Sequence, residues 1–382
     1  MRRTSVLLTL VLLLGWLPCP GRSAELQLGG KSALLMDVAT GTILYESNAH
    51  EPLAPASVTK VMTMLLIMEA IDSGAIGWND SVTASEAAAA KGGSQVYLKV
   101  GETMTVTDML KSIAVSSAND CACAMAEYIA GSEAAFVERM NARAGELGMK
   151  DTCFVNCTGL DDSEEAAWHR TSAHDIAVMS RQLLKNHPDI KKFTTIWMDS
   201  VRDGAFGLSN TNKMIRFYDG ATGLKTGFTS GAGYCLSASA AREGMELVAV
   251  VMGAESSQVR FHTCKTLLDH GFANYALFSP DLCDVASVPV KLGKTDSIRP
   301  RMGEAASLLI DKGKKGAVTT EAVLEEVLTA PVRQGQPIGT LVVKADGQIL
   351  KEIPLVAAED VERLSFGDLF SHVLRRAAMA RT

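Results

Sequence analysis

The sequence predicts an α/β domain followed by a small all-β domain, from the order in which its residue texture changes. Two β-prone runs come first, over 32–38 and 42–46. A block with apolar residues at helical spacing fills the middle, and strand texture returns from residue 208. Beyond Ser279 and Pro280 only short strand-like runs remain. With 382 residues, 47% hydrophobic and 21% charged, the chain is long enough for two buried cores, which excludes a disordered or fibrous protein.

Met1, Arg2 and Arg3 precede an apolar run over 6–17 and small residues at Gly21, Ser23 and Ala24. This pattern predicts a secretory leader over 1–24, cleaved after Ser23 or Ala24. The apolar run is too short to span a bilayer, and an uncleaved anchor is the alternative. Trp16, Leu17 and Pro18 are poor small-residue neighbours for lipoprotein processing at Cys19.

Ala39, Thr40 and Gly41 turn the first two β-prone runs into a hairpin. Pro52 and Pro55 keep the next stretch non-helical; Val61, Met64, Leu65 and Met68 then repeat at helical spacing, so that Ser57 starts a buried helix. Residues 79–106, with Gly92, Gly93 and Gly101, read as turns. Helices are expected over 106–116, 120–130, 134–148 and 172–186, the last opened by Ser172 with Asp175 three residues on. Strands are expected over 213–218, 222–226, 233–240 and 247–252, with Arg242, Glu243 and Gly244 turning the last two. Together these elements make a first domain over 25–278.

The second domain, over 281–357, shows no nucleophile, histidine cluster or carboxylate pair, and its role reads as spacing or interaction. In the tail, 360–382, Val361, Leu364, Phe366, Leu369, Phe370, Val373, Leu374 and Ala377 fall at helical spacing, with Arg375, Arg376 and Arg381 at the end. That pattern predicts a helix lying on a membrane surface; a helix docked on its own β domain is the alternative.

Removal of Arg2, Arg3 and Arg22 with the leader takes the 37 basic residues to 34 against 43 acidic ones, a net charge of −9, which argues against nucleic acid as a partner. Seven cysteines remain after cleavage, an odd number, and none has the spacing of a zinc site. They read as buried free thiols, with one disulfide or a metal as alternatives. His169 and His174 lack the Glu of a metalloprotease motif and read as structural. No metal and no cofactor is expected.

Three motifs carry the chemistry, each present once: Ser57-Val58-Thr59-Lys60, Ser117-Ala118-Asn119 and Lys225-Thr226-Gly227. Lys60 lies one helical turn after Ser57 and on the same face, within reach of its proton. An ammonium cannot accept that proton, so Lys60 must be held neutral, which burial and a nearby positive charge such as Lys225 both favour. The helix start also suits a developing anion. Lys225, Thr226 and Gly227 fall on a strand near a sheet edge, where Gly227 leaves room for an extended peptide.

With Pro55 and Ala56 before Ser57, Asp120 after Asn119, Gly223 and Leu224 before Lys225, and the run 156–161 reading Asn-Cys-Thr-Gly-Leu-Asp, the chain resembles the serine D-alanyl-D-alanine carboxypeptidases, the low-mass penicillin-binding proteins. The resemblance spans nearly the whole mature chain. It implies a β-lactamase/transpeptidase-like fold, an antiparallel sheet with a helical lobe, and removal of the terminal D-alanine from peptidoglycan stem peptides. It implies further that Lys60 accepts the Ser57 proton, that Ser117 relays a proton to the leaving amine, and that Asn119 holds both the peptide and Lys60. Lys225 and Thr226 are expected to meet the terminal carboxylate. Arg260 is a further carboxylate candidate, with a surface arginine as its alternative. β-Lactams are expected to acylate Ser57 as mimics of the peptide terminus. Phe228 stands where some relatives carry His.

Two other functions are weighed. A class A β-lactamase needs a further Glu to activate water, and Glu164 and Glu165 are followed by Trp168 and His169 rather than by a matching Asn. A non-catalytic stem-peptide binder has no use for the intact Ser57 and Lys60 pair.

Overall fold

The computed structural model describes residues 26–370, apart from positions 27, 305 and 369. The expected leader and most of the expected tail helix lie outside the described residues.

The main sheet is antiparallel and five-stranded. Its order is Ile43–Ser47, Ser32–Asp37, Met245–Ala254, Gly233–Arg242 and Ala221–Thr229. The expected hairpin forms its first edge, and the strand bearing Lys225, Thr226 and Gly227 forms the other. Met245–Ala254 sits at the centre as a nearly continuous apolar run, the pattern of a strand covered on both faces. Its alternate residues serve two cores. Val248, Val250 and Met252 join the helical lobe, whereas Leu247, Ala249 and Val251 pack under the helix Ser257–Asn274.

At the centre of the lobe lies the helix Lys60–Asp72, in which Val61, Met62, Met64, Leu65, Ile67 and Met68 are all buried. A helix apolar on nearly every side belongs inside. Val106–Ser116, Asn119–Ala130, Glu133–Glu146 and Ala173–Asn186 surround it close to the expected ranges. Ser172 caps the last of these, its Oγ accepting the Asp175 N–H at 3.2 Å.

Three local expectations need correction. Residues 213–218 were expected as strand, but Met214–Phe217 is a short helix. Asn212 Oδ1 accepts the Met214 N–H at 3.1 Å, and its amide donates to the Gly223 carbonyl at 2.9 Å, so side-chain bonding overrides the β-prone composition. The stretch 79–106 holds two short paired strands, Ser81–Thr83 and Thr103–Thr105, and the helical turn Glu86–Ala89. The helix Ser257–Asn274 was not anticipated, because its buried face includes Arg260, Thr263 and Gly271 and so lacks a clear apolar period.

Beyond the main sheet, Tyr275–Phe278 pairs with Leu308–Asp311. A four-stranded sheet then runs Pro300–Met302, Gln348–Ala357, Pro337–Ala345 and Val318–Leu324. Val361 and Arg363 form bridges to Val332 and Gly293, so this stretch belongs to the β structure rather than to the tail helix. Helical geometry begins at Phe366, where Ser365 Oγ accepts the Asp368 N–H at 3.2 Å. Among the described residues no helix is long and apolar enough to cross a membrane. All seven described cysteines are free; five are buried as expected, whereas Cys153 and Cys283 are exposed.

Candidate active site

The turn before Ser57 is set by close backbone contacts. Ala56 has φ of 48°, the left-handed region that costs a non-glycine residue roughly 1–2 kcal/mol. Two glycines hold it there. A Cβ on Gly159, itself at φ +80°, would lie 1.8 Å from the Ala56 carbonyl oxygen, and one on Gly227 would lie 2.6 Å from that of Pro55 and 3.1 Å from Ser57 N. Thr59 Oγ1 donates to the Ala56 carbonyl at 2.8 Å. The absent side chain of Gly227 therefore makes room for the nucleophile turn, a second reason for glycine beyond the approach of a peptide.

His169 buttresses the same turn. Its Nδ1 accepts the Val155 N–H at 3.0 Å, which leaves the proton on Nε2, 2.8 Å from Thr59 Oγ1. Burial, with the nearby Lys60 charge, lowers its pKa to about 4, so the ring is neutral. The reading of His169 as structural agrees with this placement.

Lys60 is fully buried, and its Nζ lies 3.0 Å from Ser57 Oγ and donates to the Thr158 carbonyl at 2.7 Å. Burial lowers its pKa to about 7, against the opposing pull of the Asp120 carboxylate. The depression comes from loss of water rather than from Lys225. Lys225 is itself buried, and burial, Lys60 and Arg260 together hold its pKa well below the usual lysine value. Its Nζ donates to the Thr226 carbonyl at 2.9 Å, and Thr226 Oγ1 donates to Thr211 Oγ1 at 2.7 Å.

Ser117 caps the helix Val106–Ser116 in the left-handed region, at φ 64°. Its Oγ is buried with no hydrogen-bond partner among the described residues. Asn119 opens the next helix, and its N–H donates to the Ser94 carbonyl at 2.7 Å. Its side chain does not hold Lys60 as expected. Nδ2 donates to Gly92 at 2.7 Å, while Oδ1 is buried and unpartnered among the described residues. The carbonyl that holds Lys60 is Thr158, from the run 156–161 that had contributed only to the resemblance.

Arg260 is not a surface residue. At 7% exposure its Nη1 donates to the carbonyls of Gly227 at 2.8 Å and Cys235 at 3.2 Å, and the guanidinium lies 5.3 Å from the Tyr234 ring. Nη1 braces the strand behind Gly227, while Nε is buried with no hydrogen-bond partner among the described residues. Phe228 is half exposed and packs on Tyr234 with ring centroids 4.3 Å apart, giving this edge of the cleft an apolar wall.

The family profile described as D-alanyl-D-alanine carboxypeptidase matches residues 21–256. The chain belongs to this family. A second profile, the C-terminal domain of penicillin-binding protein 5, matches residues 283–363. D-alanyl-D-alanine carboxypeptidase DacF of Bacillus subtilis (strain 168) is 46% identical over 352 residues, covering 90% of this chain and 89% of the relative. Among solved structures, penicillin-binding protein 5 from Haemophilus influenzae matches with a TM-score of 0.74 at 31% identity, covering 88% of this chain and 98% of the other. Penicillin-binding protein D2 from Listeria monocytogenes, in its ampicillin-bound form, matches at 0.59 and 31%, covering 65% of this chain and 99% of that one.

As a member of this family the protein is a carboxypeptidase, and the likeness bears out the transpeptidase/β-lactamase type of fold. The turn before Ser57 is crowded, with clearance set by backbone atoms that cannot rotate away. Gly227→Ala should therefore leave the chain folded yet lower D-alanine release about 100-fold, since displacements near 1 Å at reacting groups cost this much. Steady-state release measured beside the circular dichroism spectrum checks it; an alanine variant of wild-type activity would show that the turn yields without harm.

Proposed function

We propose that this carboxypeptidase removes the terminal D-alanine of peptidoglycan stem peptides through an acyl-enzyme on Ser57. The reading rests above all on one observation: the Nζ of a fully buried Lys60 lies 3.0 Å from Ser57 Oγ, and that burial lowers its pKa to about 7. A neutral amine there takes the hydroxyl proton as Ser57 Oγ attacks the penultimate carbonyl. The Ser57 N–H, at the start of the helical turn, is positioned to stabilise the oxyanion. Ser117 Oγ passes a proton to the departing D-alanine nitrogen, and water then hydrolyses the ester.

The binding roles follow from the same geometry. Asn119 Oδ1 accepts from the peptide backbone, and the edge strand with Lys225, Thr226 and Gly227 receives the terminal carboxylate. Arg260, held behind Gly227 through Nη1 alone, is a further partner for that carboxylate. β-Lactams present a carboxylate beside a strained amide, and they acylate Ser57 by the same attack. That the Listeria monocytogenes neighbour is an ampicillin-bound form supports this.

We infer a division of labour along the chain. The leader 1–24 directs export, residues 25–278 carry the chemistry, 281–357 act in spacing or interaction, and the tail from Phe366 onward rests on the outer face of the cytoplasmic membrane.

D-Alanine release from a diacyl tripeptide ending in D-alanyl-D-alanine tests the activity, and Ser57→Ala should abolish it. Because the base form of Lys60 is the neutral one, kcat/KM should fall as pH drops through about 7 and level off above it; a profile flat from pH 5 to 9 would remove Lys60 as the base. Penicillin should leave a long-lived adduct on Ser57 by mass spectrometry, whereas rapid turnover to penicilloate would point to a lactamase. Deleting 366–382, which spares the bridges of Val361 and Arg363, should move the mature protein from the membrane to the soluble fraction, and unchanged sedimentation would refute the anchor.

A further inference from the structure

The carbonyl that holds Lys60 belongs to a turn, 156–159, with an unusual support. Cys157 is pinned at both ends of its backbone. Its carbonyl accepts Thr63 Oγ1 at 2.6 Å, from the nucleophile helix one turn beyond Lys60. Its N–H donates to Glu133 Oε1 at 3.2 Å, and its thiol donates to the same oxygen at 3.2 Å. The other oxygen, Oε2, accepts Lys91 Nζ at 2.6 Å, and the Cys123 thiol lies 3.8 Å from it. Within the turn, Asn156 Oδ1 accepts the N–H groups of Thr158 at 3.2 Å and Gly159 at 2.7 Å.

Glu133 is the first residue of the helix Glu133–Glu146, where the amide end of the helix favours a carboxylate. Burial works against its charge, but the Lys91 ammonium and the Cys157 donors hold its pKa below the usual range. Burial pushes both thiols up, so Cys123 and Cys157 stay protonated and act as donors. A half-buried, ionised pair thus lies behind the active site in none of the three motifs.

We propose that Glu133, paired with Lys91, is a positioning residue for the carboxypeptidase reaction: it fixes the Cys157 peptide so that the Thr158 carbonyl aims Lys60 Nζ at Ser57 Oγ. This rests on Lys60 being the base. The charged and titratable groups around Glu133 are Lys91, Cys157, and Cys123 with its neighbour Glu127; those around Lys60 are Cys157, Asp120, His169 and Lys225. Without its support the carbonyl turns away, and two effects follow. The amine loses its aim, and its protonated form loses an acceptor, which lowers the Lys60 pKa further.

The test is the pH profile of D-alanine release by the full chain with Glu133→Ala and Glu133→Gln. Glu133→Ala should lower kcat about tenfold with KM within twofold, and should move the acid limb to lower pH. Glu133→Gln keeps an acceptor for the Cys157 N–H and should recover most of the rate. A folded Glu133→Ala variant with wild-type kcat and an unmoved limb overturns the proposal. So does one whose loss lies only in melting temperature or KM. Should Glu133→Ala not fold, Thr63→Val removes the opposite support of Cys157 and must shift the limb in the same direction. A wild-type limb near pH 7 that no variant moves sinks this inference alone, whereas a flat wild-type profile sinks the assignment of Lys60 as well.

Discussion

Removal of the Lys60 ammonium from water is the constraint on which the site depends. A lysine on a surface stays protonated at neutral pH and cannot take a proton from serine. Here the amine is surrounded by protein, and the loss of hydration brings its pKa to about 7. The Thr158 carbonyl and Ser57 Oγ remain as its acceptors, enough to orient the group without restoring what water would supply. Much of the surrounding architecture serves that enclosure. The nucleophile helix is apolar on nearly every side and lies at the centre of the lobe, so its first residue is carried into the interior with it.

A second requirement is approach. Ser57 must stand open to a ligand while its backbone lies against two other segments, and both contacts are made at glycines. Gly159 meets the Ala56 carbonyl and Gly227 meets that of Pro55, each at distances no side chain would allow. The edge strand can therefore run alongside the nucleophile turn with its outer side unpaired. Arg260 reaches from the far side of the sheet to the Gly227 carbonyl, coupling the long helix Ser257–Asn274 to that strand. The two faces of the sheet thus both bear on one short stretch of backbone.

Much of this was legible in the chain itself. β-Prone runs bounded by turn residues marked the strands of the main sheet, and 3.6-residue spacing marked most helices, because apolar residues in such runs report which segments are buried. The misreadings occurred where side-chain hydrogen bonds or mixed burial compete with pattern: Asn212 bonding the Met214 N–H and the Gly223 carbonyl, and Arg260 and Thr263 interrupting the apolar face of the long helix. The expectation that Asn119 holds Lys60 failed because its Nδ2 donates to the Gly92 carbonyl, which fixes the side chain on a glycine-rich turn 27 positions away without a clear local pattern, while Oδ1 takes no hydrogen bond among the described residues.

By itself the sequence determined the candidate reacting groups and their order: a serine with a lysine one helical turn later, a Ser-x-Asn motif at a helix boundary, and Lys-Thr-Gly on a strand. Those are local relations, set by helical and strand periodicity. Only the tertiary structure decided the protonation of Lys60, the carbonyl that holds it 98 residues away, the neutral tautomer of His169 and the interior position of Arg260. The physical reason is that desolvation and hydrogen-bond partnership depend on what surrounds a group in space, and segments distant in the chain supply those surroundings.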